Sequence, residues 1–186
     1  ERTYVLIHGC YKGGWIWKPV ADRLRAAGHR VYHPSLDGCG ERNHALRQGI
    51  TIGTQAREIA QLLYAEDLDQ VHLVATSNGG NVAITAAALM RERVAHLDFV
   101  DAVVLFPGEK LKYAWPDDPD KDIPYENDGI SVPIKSDPAG DYGVPPDVQA
   151  WERARATRQP EQTMNGVIED CGFWQHQWSA TTICCM

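Results

Sequence analysis

Val71-His-Leu-Val-Ala-Thr-Ser77-Asn-Gly-Gly80 is the stretch on which the reading of this chain turns. An apolar, β-branched run ends in a serine held among small residues, with two glycines directly behind it. That is the local pattern of a strand that bends sharply into a helix and presents Ser77 at the apex. A serine in this place needs a strained backbone to turn its Oγ away from the sheet, and bulky side chains at 75 and 79 would collide. The general form is G-x-S-x-G, here with Ala75 in the first small position and Gly79 in the second. Ser-Asn-Gly-Gly is also common turn chemistry, so an ordinary strand-to-helix connection fits the same letters. The rest of the chain adds weight to a nucleophile.

Upstream, Tyr4-Val-Leu-Ile7 reads as a buried strand that His8-Gly9 ends. Trp15 to Ala27 has helical spacing, with Trp17, Val20, Ala21 and Leu24 on one face, Pro19 near its start and Gly28 just past its end. Arg30 to His33 is a second strand, stopped by Pro34. Residues 35–53 read as loop, and Thr54 to Tyr64 as a helix. Downstream of Ser77 come an Ala-rich helix over Asn81–Met90 and a fourth strand over Phe99–Phe106. Strands separated by helices predict an α/β architecture, a doubly wound and mostly parallel sheet with right-handed crossovers. Sites in such sheets form beyond the carboxyl ends of the strands, where His8-Gly9-Cys10 and Ser77 both fall.

At Pro107 the composition changes: residues 107–147 hold eight of the eleven prolines and many aspartates, with no sustained period. This is expected of an excursion over a site. Val148–Arg158 reads as a short helix carrying Trp151, and Ala180–Cys185 as a last core strand. The predicted organisation is a core over 1–106, an inserted cap or lid over 107–165, and a return to the core over 166–186.

The 186 residues suffice for one well-buried α/β domain. A net charge of −7, with 18 scattered Lys and Arg, argues against a nucleic-acid partner. No apolar run reaches the roughly 18 residues of a membrane span, and no signal peptide precedes the first strand. The five cysteines, Cys10, Cys39, Cys171, Cys184 and Cys185, lack metal-type spacing and read as buried free thiols in a reducing cytoplasm. No metal or other cofactor is expected.

Acyl transfer by serine needs a nucleophile, a base and donors for the developing oxyanion. Ser77 is the candidate nucleophile. The candidate donors are the N–H of Asn78, next after it, and the N–H of Cys10, in the turn after the first strand. These residues carry a family resemblance. Tyr4-Val-Leu-Ile-His-Gly-Cys-Tyr-Lys-Gly-Gly-Trp-Ile-Trp17 resembles the opening of α/β-hydrolase-fold proteins of the plant methylesterase and hydroxynitrile lyase group and their bacterial esterase-like relatives. Ala26-Ala-Gly-His-Arg-Val-Tyr32, Leu36-Asp-Gly-Cys-Gly-Glu-Arg-Asn-His44 and Val71–Gly80 extend the match, which is dense over residues 4–106. The resemblance implies an α/β-hydrolase core, a cap over the site, Ser77 as nucleophile, and backbone donors at Cys10 and Asn78. Gly9 fits the esterases of the group, since the lyases tend to carry a threonine there.

The chain departs from the family pattern twice. The family elbow usually reads Gly-His-Ser, where this chain has Ala75-Thr76-Ser77. In the family the acid follows the strand that here ends at Cys185, and the catalytic histidine lies beyond one further strand; neither position is in this sequence. The seven histidines present offer no clear base. His8 reads as ordering the first turn, His33 and His72 sit in strands, and His29 ends a helix. His44 lies in a loop, His96 precedes a strand, and His176 packs among aromatics. Asp101 reads as structural.

The resulting expectation is a serine hydrolase that cleaves a small apolar ester or lactone through an acyl-Ser77 intermediate. Trp15, Trp17, Tyr113 and Trp115 would furnish either an apolar pocket or core packing. The chain is expected to be cut short before its acid and histidine, leaving the last strand in need of a neighbour, and a homodimer is one arrangement that would supply it. A hydrolase-like ligand-binding protein without catalysis and a lyase or cyclase on the same fold are the rival readings.

Overall fold

Alternation along the first strand sets up two cores. In the computed structural model, which describes residues 1–111, 129–134 and 143–185, β1 (Thr3–Ile7) sends Val5 and Ile7 to one face of the sheet and Leu6 to the other. A 3-10 turn (Gly14–Trp17) leads into α1 (Lys18–Ala26), then β2 (Arg30–Tyr32) and a second 3-10 turn (Gly40–Ala45). There follow α2 (Ile52–Ala65), β3 (Val71–Ser77), α3 (Gly79–Leu89) and β4 (Val94–Ala102). The remaining elements are β5 (Ser131–Val132), α4 (Pro146–Arg153), β6 (Gln159–Pro160), α5 (Gln162–Asn165) and β7 (Ala180–Ile183).

Five strands form one sheet in the order β2-β1-β3-β4-β7, every pair parallel. This is the α/β architecture that the strand and helix pattern predicts. The larger core joins Val5, Ile7, Leu73, Ala75 and Leu97 of the sheet to Ile59 and Leu63 of α2 and Val82, Ala83 and Ala86 of α3. On the opposite face, Leu6 and Val31 pack on Ala21 of α1 and on Trp17. Beyond α1 that second face is an open groove of about 430 Å³, lined by Tyr4, His72, Val74, His96, Val100 and Ile183 among others. All four residues of β7, at the sheet edge, are exposed. No helix among the described residues is long and apolar enough to cross a membrane.

Several expectations need correction. The fourth strand runs over 94–102, not 99–106, because Val103–Phe106 leaves the ladder once Val103 N–H donates to Ser77 O (2.8 Å). The helix expected over 15–27 is split, a 3-10 turn preceding α1, and the loop over 35–53 contains the turn at 40–45. The Ala-rich helix starts at Gly79, the Trp151 helix spans Pro146–Arg153, and the last strand stops at Ile183. Cys184 and Cys185 are exposed rather than buried; all five cysteines are free, Cys39 is buried, and Cys10 and Cys171 are partly buried. Trp17 belongs to the core around α1. The lid expected at 107–147, with Tyr113 and Trp115, lies largely outside the described residues.

Candidate active site

Three chain segments meet at the carboxyl end of the sheet: the loop after β1, the β3–α3 junction and residues 157–164. Ser77 is the last residue of β3 and has φ 49°, a conformation that costs a non-glycine residue about 1–3 kcal/mol. The ladder shifts register between Thr76 and Ser77, so Ser77 opposes Ala102, and Asp101 beside it also has positive φ (46°). A packed neighbourhood holds this strain. A Cβ on Gly9 would lie 2.7 Å from Ser77 Cβ and 3.2 Å from its Oγ, so the loop after β1 lies directly against the serine. A Cβ on Gly79 would meet His8 O at 2.6 Å and Ile7 O at 2.8 Å. Both positions require glycine for close approach, and through them the elbow is pressed onto the end of β1.

Asn78 caps α3, buried, with its side chain spent on structure. Its Nδ2 donates to Thr163 O (3.0 Å) and its Oδ1 accepts from Asn81 Nδ2 (2.9 Å). Asn81, wholly buried, accepts in turn from Leu105 N–H (2.9 Å). This pair of amides ties the elbow to the segment after β4 and to residues 157–164. The Cys10 thiol meets the Asn78 side chain, so Cys10 and Asn78 come together beside Ser77. Burial pushes that thiol up to about 12, the Asn78 hydrogen bond only partly opposing it, so Cys10 is protonated and inert at neutral pH. Among the described residues, neither Cys10 N–H nor Asn78 N–H is taken up by another residue's backbone carbonyl.

His8 orders the loop. Its Nε2 accepts from Leu36 N–H (3.0 Å), so the proton sits on Nδ1, which donates to Gly9 O (2.8 Å). Burial lowers its pKa to about 4, so the ring is neutral. Gly9 O and Cys10 N–H share one peptide plane, so this bond anchors the plane of the Cys10 donor at its oxygen end.

No side chain among the described residues hydrogen-bonds Ser77 Oγ, and all seven histidines are described. Their nitrogens and rings are engaged elsewhere: His29 with Arg2 N–H, His33 with Gly14 O, and His44 with Glu41 O. His72 faces Asp98, His96 binds Ser179 and Thr181, and His176 lies edge-on to Trp178. Asp101 Oδ1 accepts from Cys185 N–H (3.4 Å) at the β7 edge. No group of acidic, His and Cys residues among the described residues is arranged to hold a metal ion.

What the residue pattern did not reveal is the part played by 157–164. Thr157 N–H donates to Tyr11 O (3.0 Å), Gln159 Oε1 accepts from Tyr11 N–H (2.8 Å), and Tyr11 OH donates to Met164 Sδ (3.3 Å). Lys12 pairs with Glu152, and Trp15 lies edge-on to Trp151. None of these contacts leaves a local mark in the sequence, because each joins residues far apart along the chain.

A family model described as alpha/beta hydrolase fold matches residues 4–121. A carbendazim hydrolyzing esterase of Nocardioides sp. (strain SG-4G) is 38% identical over 109 residues, 59% of this chain and 45% of that protein. Methylesterase 7 of Arabidopsis thaliana is 35% identical over 104 residues, 55% of this chain and 40% of that one. The chain thus spans less than half the length of these curated relatives. An extracellular alpha/beta-hydrolase from a Paenibacillus species superposes with a TM-score of 0.78 at 20% identity, over 98% of this chain and 76% of that one.

Proposed function

From the premise that this chain belongs to the alpha/beta hydrolase fold family, we propose that it carries the nucleophile half of an esterase site, with Ser77 as nucleophile and the N–H groups of Cys10 and Asn78 as the oxyanion hole. The observation that carries this reading is the strained Ser77 (φ 49°) with Gly9 packed directly against it. Ser77 Oγ attacks the carbonyl carbon of a small apolar ester or lactone. The carbonyl oxygen gains charge and is held by the two N–H groups; the alkoxide leaves with a proton, and water then cleaves the acyl-Ser77 ester. Both curated relatives described above are named as esterases, which supports the reaction class.

The base and acid belong to the same proposal. With every histidine engaged away from Ser77, we place them in residues that the coding sequence supplies after Met186. The bare edge of β7 and the open groove beside α1 support this, because parallel sheets are normally covered on both faces. Residues 107–165 are proposed as the cap. Hydrolase-like ligand binding without catalysis is the second reading, favoured by the absence of an imidazole beside Ser77.

Turnover of p-nitrophenyl acetate separates them. The comparison is between this chain, the protein extended by its downstream coding sequence, and Ser77→Ala in the extended form. The proposal expects turnover in the extended protein alone, lost in Ser77→Ala, with the short chain lower by up to about 10⁶-fold, the scale of losing a triad histidine. Turnover that ignores Ser77→Ala overturns the nucleophile; equal Ser77-dependent turnover in both lengths overturns the placement of the base.

A further inference from the structure

Cys10 lies between two peptide planes, and each is anchored by a different buried side chain. His8 holds the plane before it, through Gly9 O (2.8 Å). The plane after it carries Tyr11 N–H, which donates to Gln159 Oε1 (2.8 Å). Since a peptide unit is rigid, anchoring both planes fixes both backbone torsions of Cys10. Tyr11 itself has φ 63°, a left-handed conformation that a bulky residue adopts only under constraint.

We infer that Gln159 is a positioning residue, which reaches across from residues 157–164 to hold the Tyr11 peptide and so keeps the Cys10 N–H aimed for catalysis. The inference rests on the reading of Cys10 N–H as an oxyanion donor. Gln159 is 3% exposed and its amide is fully placed. Nε2 donates to Thr163 Oγ1 (2.7 Å), whose own hydroxyl donates to Pro160 O (2.7 Å). Oε1, besides accepting from Tyr11, faces Cys39 Sγ at 3.8 Å. The Gln159 backbone is pinned where β6 pairs with β5, Gln159 opposite Val132. Thr163 O also accepts from Asn78 Nδ2 (3.0 Å), so one short segment is hydrogen-bonded to Asn78, which bears one proposed donor, and to Tyr11, next after the residue that bears the other. A side chain tied on every polar atom transmits a fixed geometry rather than a loose contact.

The role has a specific consequence. Loss of the Oε1 acceptor breaks the Tyr11 N–H bond to Gln159 and lets residue 11 relax from its positive φ, turning the Cys10 donor. The substrate pocket stays in place, so the transition state suffers and the ground state does not.

Two measurements test this. In the 186-residue chain, amide hydrogen exchange at Tyr11 is expected to speed up by at least about 10-fold in Gln159→Met while β1 and β3 amides hold their rates. In the extended protein, Gln159→Met is expected to lower kcat by about 10- to 100-fold with KM within about twofold. Gln159→Asn, one methylene too short, replaces Gln159→Met if the latter does not fold, with the same expectations. Unchanged Tyr11 exchange, an unchanged kcat, or a loss carried by KM rather than kcat would overturn the inference. The exchange result needs no activity, and turnover that survives Ser77→Ala indicts the esterase reading instead, so the two failures are distinguishable.

Discussion

Gly9 and Ser77 are packed so closely that a Cβ on Gly9 would stand 2.7 Å from Ser77 Cβ. Carbon atoms do not approach to that distance, so any side chain at position 9 must part the loop after β1 from the β3–α3 elbow. Gly9→Ala is therefore expected to cost about 1–3 kcal/mol of stability. In the extended protein it should lower kcat by about 100-fold or more, through displacement of the Cys10 donor. Urea unfolding and ester turnover read the two effects; an alanine variant with native values for both would contradict the close packing.

His8 makes stability depend on pH. Its pKa is lowered to about 4 by burial, against 6.5 for an unburied histidine. Between these values the unfolded chain binds the proton and the folded one does not. The contribution is thus fully present above about pH 6.5 and is lost as pH falls toward 4, amounting to about 3 kcal/mol. Urea midpoints measured from pH 7.5 to 4 should fall more steeply in the wild-type protein than in His8→Gln. Parallel curves would contradict a neutral, buried His8.

Thiol reactivity should divide the cysteines. Burial pushes Cys10 and Cys39 up to about 12, whereas Cys184 and Cys185 are exposed. Iodoacetamide at neutral pH is expected to modify Cys184 and Cys185 in the folded chain and to spare Cys10 and Cys39 until denaturant is added. Peptide mapping by mass spectrometry gives the order, and early alkylation of Cys10 would show that its surroundings are more open than described.

Asn81 accepts from Leu105 N–H and donates to Asn78 Oδ1, each at 2.9 Å, with no solvent access. Asn81→Leu keeps the branched shape, adds bulk and orphans both partners. A loss of about 2–4 kcal/mol is expected in urea unfolding. A change below about 0.5 kcal/mol would mean that those partners find water or each other.

Much of the fold was legible because β1 is a continuous apolar run, His72 alone breaks the run from Val71 to Ala75 in β3, and the helices between them carry periodic apolar patterns. β4 was misread for a physical reason. His96 and Asp98 interrupt its apolar run because they line the open groove beside α1, and a half-exposed strand lacks the signature of a buried one. Val103-Val-Leu-Phe106 looks more like a strand, yet its backbone serves the site: Val103 N–H bonds Ser77 O and Leu105 N–H bonds Asn81. Ser77 could be found locally, since its neighbours must be small for steric reasons that operate within a few residues. Gln159 could not, because its partner Tyr11 lies 148 positions away and nothing near Gln159 betrays it.

The most direct measurement is reaction of the extended protein with a fluorophosphonate probe, followed by mapping of the adduct. An activated serine oxygen attacks phosphorus and displaces fluoride, and the adduct's phosphoryl oxygen stands where the oxyanion of the tetrahedral intermediate would sit, at the same donors. The account predicts one adduct, on Ser77, lost in Ser77→Ala and formed more slowly in Gly9→Ala. An adduct on any other residue, or none in a folded extended protein, would contradict Ser77 as the nucleophile.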